Sequence, residues 1–249
     1  MSSTIEKAID LLFHLSEAEG AQGVTVLARN TGQPKANVFR QLNALSKREL
    51  VEQDESGRYQ LGFGLAALGR RVMEREPICA AVRPELERLA EETGETAFLV
   101  VARAGRLTIA DKVEGSGFIR ATPRVGATMP THATAVGKLY LAFAPDQVAT
   151  AEDHLEPFTP ATITTEAALK RELQRVRKRG WAMNDGEWLR GLSVAAAPIR
   201  NSTALLGGIV LATTTPRMEE LGAKRIGERL VAGATAALKR LKDGNAEWK

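Results

Sequence analysis

The pattern of apolar and polar positions changes character several times along the chain. Ile5, Ala8, Ile9, Leu12, Phe13 and Leu15 recur at helical spacing until Glu19-Gly20, and Thr4 stands where an N-cap belongs. A short second helix is expected over 26–30, capped by Thr25 and stopped by Gly32. Pro34 suits the first turn of a third helix, running from 35 to about 48 with Val38, Leu42 and Leu45 on one face. Two short runs, 50–53 and 58–61, flank the polar turn Asp54-Glu55-Ser56-Gly57 and read as a hairpin. Three helices followed by a hairpin is the order of a winged helix-turn-helix. Gly62 and Gly64 loosen the chain there, and 63–75 resumes a helical period (Leu65, Leu68, Val72) that Pro77 blocks.

From about Ile78 onward helices and strands mix without regular βαβ alternation. Helices are expected over 80–93, 135–143, 145–154, 166–179 and, at length, 218–242. Strands are expected over 96–102 and 107–113, flanking the turn Ala104-Gly105, and over 194–199 and 208–214. The class implied is α+β: a winged helix-turn-helix at 1–62, a linker helix at 63–77 and a sensor-like domain at 78–249.

Composition narrows this picture. At 249 residues, 44% hydrophobic and 26% charged, the chain is an ordinary globular sequence with length enough for two domains. Its one cysteine, Cys79, excludes an intrachain disulfide, and the start MSSTIEKAIDLL lacks the features of a secretory signal. No apolar run approaches the roughly 20 residues that span a bilayer. A cytoplasmic protein with no membrane partner is expected.

The net charge of +4 is slight, but its distribution is informative. From Arg29 to Arg48 the ionised residues are Arg29, Lys35, Arg40, Lys47 and Arg48, with no Asp or Glu among them. Such a run gives salt-sensitive affinity for phosphates. On the third helix Ala36, Asn37 and Arg40 lie opposite the apolar face and toward the N-terminal end, where a recognition helix meets base edges. Arg suits guanine and Asn suits adenine. Arg58 on the second hairpin strand is placed as a wing residue for a phosphate or the minor groove. The expected DNA contacts are therefore Lys35, Ala36, Asn37, Arg40, Lys47 and Arg58, and the expected partner is double-stranded operator DNA.

The stretch TGQPKANVFRQLNALSKRELVEQDESGRYQLG resembles the winged helix of the IclR family of bacterial transcription regulators. Three later stretches resemble that family in register: PTHATAVGKLYLAF, RGWAMNDGEWLRGLSVAAAPI and GGIVLATTTP, so the likeness covers nearly the whole chain. It implies a C-terminal effector-binding domain similar to a GAF fold, dimerisation through the DNA-binding region, pairing into tetramers, and control by small organic or aromatic acids. The effector region it implies is Thr134, Ala135 and Val136, where backbone N–H groups at a helix start can hold a carboxylate, together with Asn184, Leu192, Val194, Ala212 and Thr214. The chain departs from the family pattern at several of these. Asn184 stands for the usual aspartate, Val194 for a frequent cysteine or serine, and Ala212 for a serine. Fewer polar anchors favour a more apolar ligand, or a C-terminal domain that only oligomerises. Glu49 replaces the glycine expected after the recognition helix, so that turn must be built differently.

Other chemistry is weaker. Gly191-Leu192-Ser193-Val194-Ala195 approximates a nucleophile elbow, but Ser193 leads into a strand rather than a helix. His132 and His154, with Asp146 and Asp153, lack metal-ligand spacing, and His132 reads as a helix-entry residue that hydrogen-bonds backbone. His14 and Cys79 read as structural. No metal, cofactor or enzymatic activity is expected.

Overall fold

The computed structural model describes residues 3–74, 76–117, 129–148 and 155–246. The chain divides into two compact units, Met1–Arg75 and Glu76–Lys249.

The first unit begins with α1 (Thr4–Glu17), capped by Ser3 and not Thr4: the Ser3 hydroxyl accepts the Glu6 N–H while the Glu6 carboxylate accepts the Ser3 N–H. This reciprocal box satisfies two donors that a helix start otherwise leaves open. α2 (Val24–Thr31) is longer than expected, with Gly23 at its N-cap and Thr25 inside it. Gly32 ends it in the left-handed region, φ 62°. α3 (Lys35–Ser46) starts after Pro34, itself the N-cap. The three helices close on Leu11, Leu15, Leu27, Val38 and Leu42, joined by Val51 and Tyr59 from the hairpin β1 (Val51–Gln53) and β2 (Tyr59–Leu61). Gln41 is also buried, donating to Gln33, whose amide in turn donates to the Lys7 carbonyl, so a polar chain ties the α2–α3 turn to α1.

Two turn expectations change. Glu49 itself adopts φ 57°, so the turn after α3 keeps the glycine-like conformation with a glutamate in it. Gly62 and Gly64 do not loosen the chain: a Cβ on Gly62 would lie 2.2 Å from the Glu49 carbonyl oxygen, and the Gly64 N–H donates to that same carbonyl. α4 (Phe63–Glu74) leaves from this packed corner.

The second unit starts with α5 (Pro77–Thr93), which takes Pro77 in its first turn. Strands β3 (Thr96–Arg103) and β4 (Arg106–Val113) form a hairpin around Ala104 and Gly105, both at positive φ. Then come α6 (Ala135–Phe143), a single 3-10 turn at Pro145–Gln147 and α7 (Glu166–Arg179). The helix expected over 145–154 is limited to that 3-10 turn among the described residues, and 149–154, with His154 and Asp153, lie outside them. β5 (Ala182–Asp185), which the pattern did not reveal, precedes β6 (Leu192–Arg200) and β7 (Leu205–Thr214). The final helix is two: α8 (Thr215–Leu221) and α9 (Ala223–Ala246), broken at Gly222 with φ 80°.

The five strands form one antiparallel sheet in the order β4-β3-β7-β6-β5. Strand alternation splits it into two faces. Ala97, Leu99, Ala195, Ile209 and Leu211 meet α5 and α9 on one side; Phe98, Val100, Ala196 and Val210 meet α6 and α7 on the other. Helices on both faces of an antiparallel sheet are the expected α+β class in a three-layer form. Among the described residues no helix is long and apolar enough to cross a membrane.

Candidate functional site

In the first unit the site is the outer face of α3. Val38, Gln41 and Leu42 are buried and Leu45 half-buried, which leaves Ala36, Phe39, Arg40, Asn43 and Lys47 along the exposed side. Lys35 is exposed beside them at the helix start, and Arg29 and Arg48 are exposed on either side of α3 in sequence. None of Arg29, Lys35, Arg40, Lys47 and Arg48 pairs with a carboxylate among the described residues. Two expected contacts are placed differently from the rest. Asn37 is half-buried, and its side-chain oxygen accepts from the Arg40 guanidinium, so it orients that arginine. Arg58 lies in the turn before β2, and its guanidinium is held 3.1 Å from the Asp54 carboxylate. The Ser56 hydroxyl and the Arg58 N–H keep that carboxyl ionised, its pKa lowered to about 2. Part of the wing's charge is thus spent inside the turn. Sequence reasoning did not name Phe39 and Asn43, which the helical period places on the same face.

In the second unit pairing register brings the resemblance-derived residues together. Asn184 pairs with Val194 and Val194 with Ala212, while Leu192 pairs with Thr214 two rows away, on the same face. Strand alternation puts all five on the α6 face. Ala135 and Val136 belong to the same apolar cluster as Val194 and Ala212. Thr134 caps α6: its hydroxyl accepts the Gly137 N–H and donates to the Pro130 carbonyl. The N–H groups of Ala135 and Val136 have no acceptor among the described residues.

The row through Ala212 continues to Thr96, which sequence reasoning missed. Thr96 and Asn184 are each 1% exposed, and the Thr96 hydroxyl and the Asn184 amide nitrogen have no hydrogen-bond partner among the described residues. The other Asn184 atom is satisfied, accepting the Glu187 N–H at 2.8 Å. Buried polar atoms without partners are uncommon and costly. Here two of them flank the small apolar pair Ala212 and Val194. A threonine at the head of a β-run carries no signal of this in sequence; the register alone reveals it.

Beside the row, Lys138 of α6 is buried and forms an ion pair with Glu187, also donating to the Met183 carbonyl at 3.1 Å. Burial disfavours both charges: it lowers the Lys138 pKa and raises that of Glu187, against the pull of each on the other.

The weaker candidates resolve as structure. Ser193 lies within β6 on the opposite face, its hydroxyl between the Asp185 carboxylate at 2.6 Å and Thr215 at 2.9 Å, where it joins β5, β6 and α8. His132 Nε2 donates to the Glu156 carbonyl. Cys79 is buried in the α5 core, where burial pushes its thiol up. No group of three metal-ligating side chains occurs among the described residues.

A winged helix-turn-helix with a cationic, acid-free helix face, carried by a chain whose second unit is a separate α+β module, defines a DNA-binding transcription regulator. The family model described as the IclR helix-turn-helix domain matches residues 4–55, and that of the bacterial transcriptional regulator IclR C-terminal matches 70–237. The chain therefore belongs to the IclR family. It is 33% identical over 211 residues to the glycerol operon regulatory protein of Streptomyces griseus, covering 83% of this chain and 82% of that one. The solved IclR of Thermotoga maritima superposes with a TM-score of 0.77 at 27% identity, covering 96% of this chain and 98% of that one. An IclR homologue from Microbacterium hydrocarbonoxydans, solved with 4-hydroxybenzoate, shares the fold at 18% identity and a TM-score of 0.72, covering 97% and 100%.

Proposed function

We propose that this regulator is controlled by a small organic or aromatic acid bound on the α6 face of the second unit. The observation that carries the reading is the pair of buried polar groups on Thr96 and Asn184, without partners among the described residues, in one row across the sheet. The open N–H groups at the α6 N-terminus favour a carboxylate, and Val194 with Ala212 favour an apolar body. The 4-hydroxybenzoate held by the Microbacterium homologue is a molecule of this kind. The protein acts in the cytoplasm on operator DNA, contacted through Lys35, Ala36, Asn37, Arg40, Lys47 and Arg58.

It does so as a homodimer or a pair of dimers. Ile5, Ile9 and Phe13 make an exposed stripe on α1, and Phe63, Leu68 and Val72 are exposed on α4. Large apolar side chains at this density on one small unit suit a second copy of the chain. Ligand biases the placement of the DNA-binding units by binding two arrangements with different affinity.

A thermal-shift series of hydroxybenzoates and short 2-oxo acids tests the effector reading. At least one acid raises the melting temperature of the wild-type chain and leaves that of Asn184→Leu unmoved. If none stabilises the wild type, the second unit serves oligomerisation alone.

A further inference from the structure

We propose that Phe39 reads the 5-methyl group of a thymine in the major groove. The proposal rests on the DNA-binding reading of α3 and adds to it an apolar, base-specific contact.

Phe39 is 49% exposed and is absent from the core cluster that Val38 and Leu42 join. At about 100° per residue, Ala36, Phe39, Arg40 and Asn43 occupy positions i, i+3, i+4 and i+7, a single helical stripe. All four are exposed, and Lys35 and Lys47 extend the same side. A phenyl ring left half in water forgoes much of the stabilisation that burial brings, and about half of this one stays uncovered by its own unit. Its occupant is therefore something that the cations also attract.

A second copy of the chain is a poor match for that surface. Five cations, Arg29, Lys35, Arg40, Lys47 and Arg48, with no acid among them would face their own kind across a twofold contact. DNA matches it on both counts. Its phosphates take the cations, and its major groove presents one strongly apolar feature, the thymine methyl, for which a phenyl ring is a suitable partner. Asn43 and Arg40 beside the ring supply polar readers for adjacent bases, so the stripe combines one apolar probe with two hydrogen-bonding ones.

The test begins with duplexes selected by the full-length protein from a random pool. Each thymine in the best duplex is replaced by deoxyuridine, which removes the methyl group and keeps the base pair. Binding is followed by fluorescence anisotropy. In each half-site one such replacement lowers the affinity of the wild-type chain by about fourfold, the factor that follows from burying one methyl group. Phe39→Ala binds the thymine duplex more weakly, binds thymine and deoxyuridine duplexes alike, and keeps the wild-type salt slope because no charge is lost. Phe39→Leu, which keeps an apolar side chain, retains part of the discrimination and serves if the alanine variant fails to fold. Three results overturn the proposal: no thymine whose methyl matters to the wild type, discrimination that survives in both Phe39 variants, or a change in sedimentation of Phe39→Ala that marks the ring as a subunit contact. A wild-type chain that selects no duplex overturns the DNA-binding reading with it.

Discussion

Replacing Lys138 by Met probes the buried charge pair that joins α6 to the segment after β5. The Lys138 side chain is 1% exposed and that of Glu187 11%, so removing the ammonium strands a carboxylate in the protein interior. Breaking a buried pair from one side costs about 3–5 kcal/mol. Removing both charges, as in Lys138→Met with Glu187→Leu, strands no buried charge and leaves neutral backbone groups, the Met183 carbonyl and the Asp185 N–H, without those partners. That loss costs about 1–3 kcal/mol, so the double variant is more stable than Lys138→Met alone. The pH dependence has a definite sign. Burial raises the Glu187 carboxyl above its ordinary 4.5 while Lys138 pulls it back; without the lysine it rises further. A carboxyl with a folded pKa above its unfolded one binds protons more tightly in the folded state, so Lys138→Met gains stability relative to wild type as pH falls from 8 toward 5. The first unit contains no tryptophan, and Trp181 and Trp188 lie in the second, so intrinsic fluorescence during urea unfolding reports on the second unit. A double variant no more stable than Lys138→Met, or a Lys138→Met deficit that does not change with pH, would refute the electrostatic argument.

Other outcomes follow from the two units. Arg40→Ala is expected to weaken binding to a selected operator by about 1–3 kcal/mol per half-site and to relax sequence preference, read by comparing specific and random duplexes. Lys47→Ala should instead weaken both duplexes evenly and reduce the salt slope by about one per protomer; identical behaviour of the two variants would erase the distinction between reader and phosphate contact. Glu49→Gly removes a Cβ held at φ 57° and is expected to stabilise the first unit by up to about 1 kcal/mol, seen as slower amide exchange over α2 and α3. Unchanged or faster exchange would show that the turn carries no such strain. Ile9→Glu places a charge in the exposed α1 stripe and should shift the protein toward monomer in sedimentation velocity, whereas an unaltered dimer would move the subunit contact elsewhere.

Much of the first unit was legible because its signals are local. The helical period of Val38 and Leu42, the stop at Gly32 and the turn around Gly57 each depend on neighbours a few residues away, and each element formed near its expected bounds. On α1 the expected stripe is only partly the buried one: Leu15 enters the core with Leu11, which the stripe did not include, while Ile5, Ile9 and Phe13 stay exposed. The cationic run from Arg29 to Arg48 is likewise a property of the chain itself, exposed once the apolar face is buried. Where local reading went astray, two residues competed for one role. Ser3 outdid Thr4 as the cap because only Ser3 stands three residues before Glu6.

Pairing between distant strands lay beyond the linear pattern. β5 is four residues long and sits at the sheet edge, too short for alternation to announce it, and it exists because β6 offers it a partner. The row from Thr96 through Ala212 and Val194 to Asn184 joins residues as far apart in sequence as Thr96 and Ala212, and a slip of one residue would turn each onto the other face. The amino-acid order thus determined which segments become helices, where positive charge gathers and which family the chain resembles. Tertiary structure alone decided which polar groups are sealed from water without partners, because desolvation depends on what packs around an atom and not on its sequence neighbours.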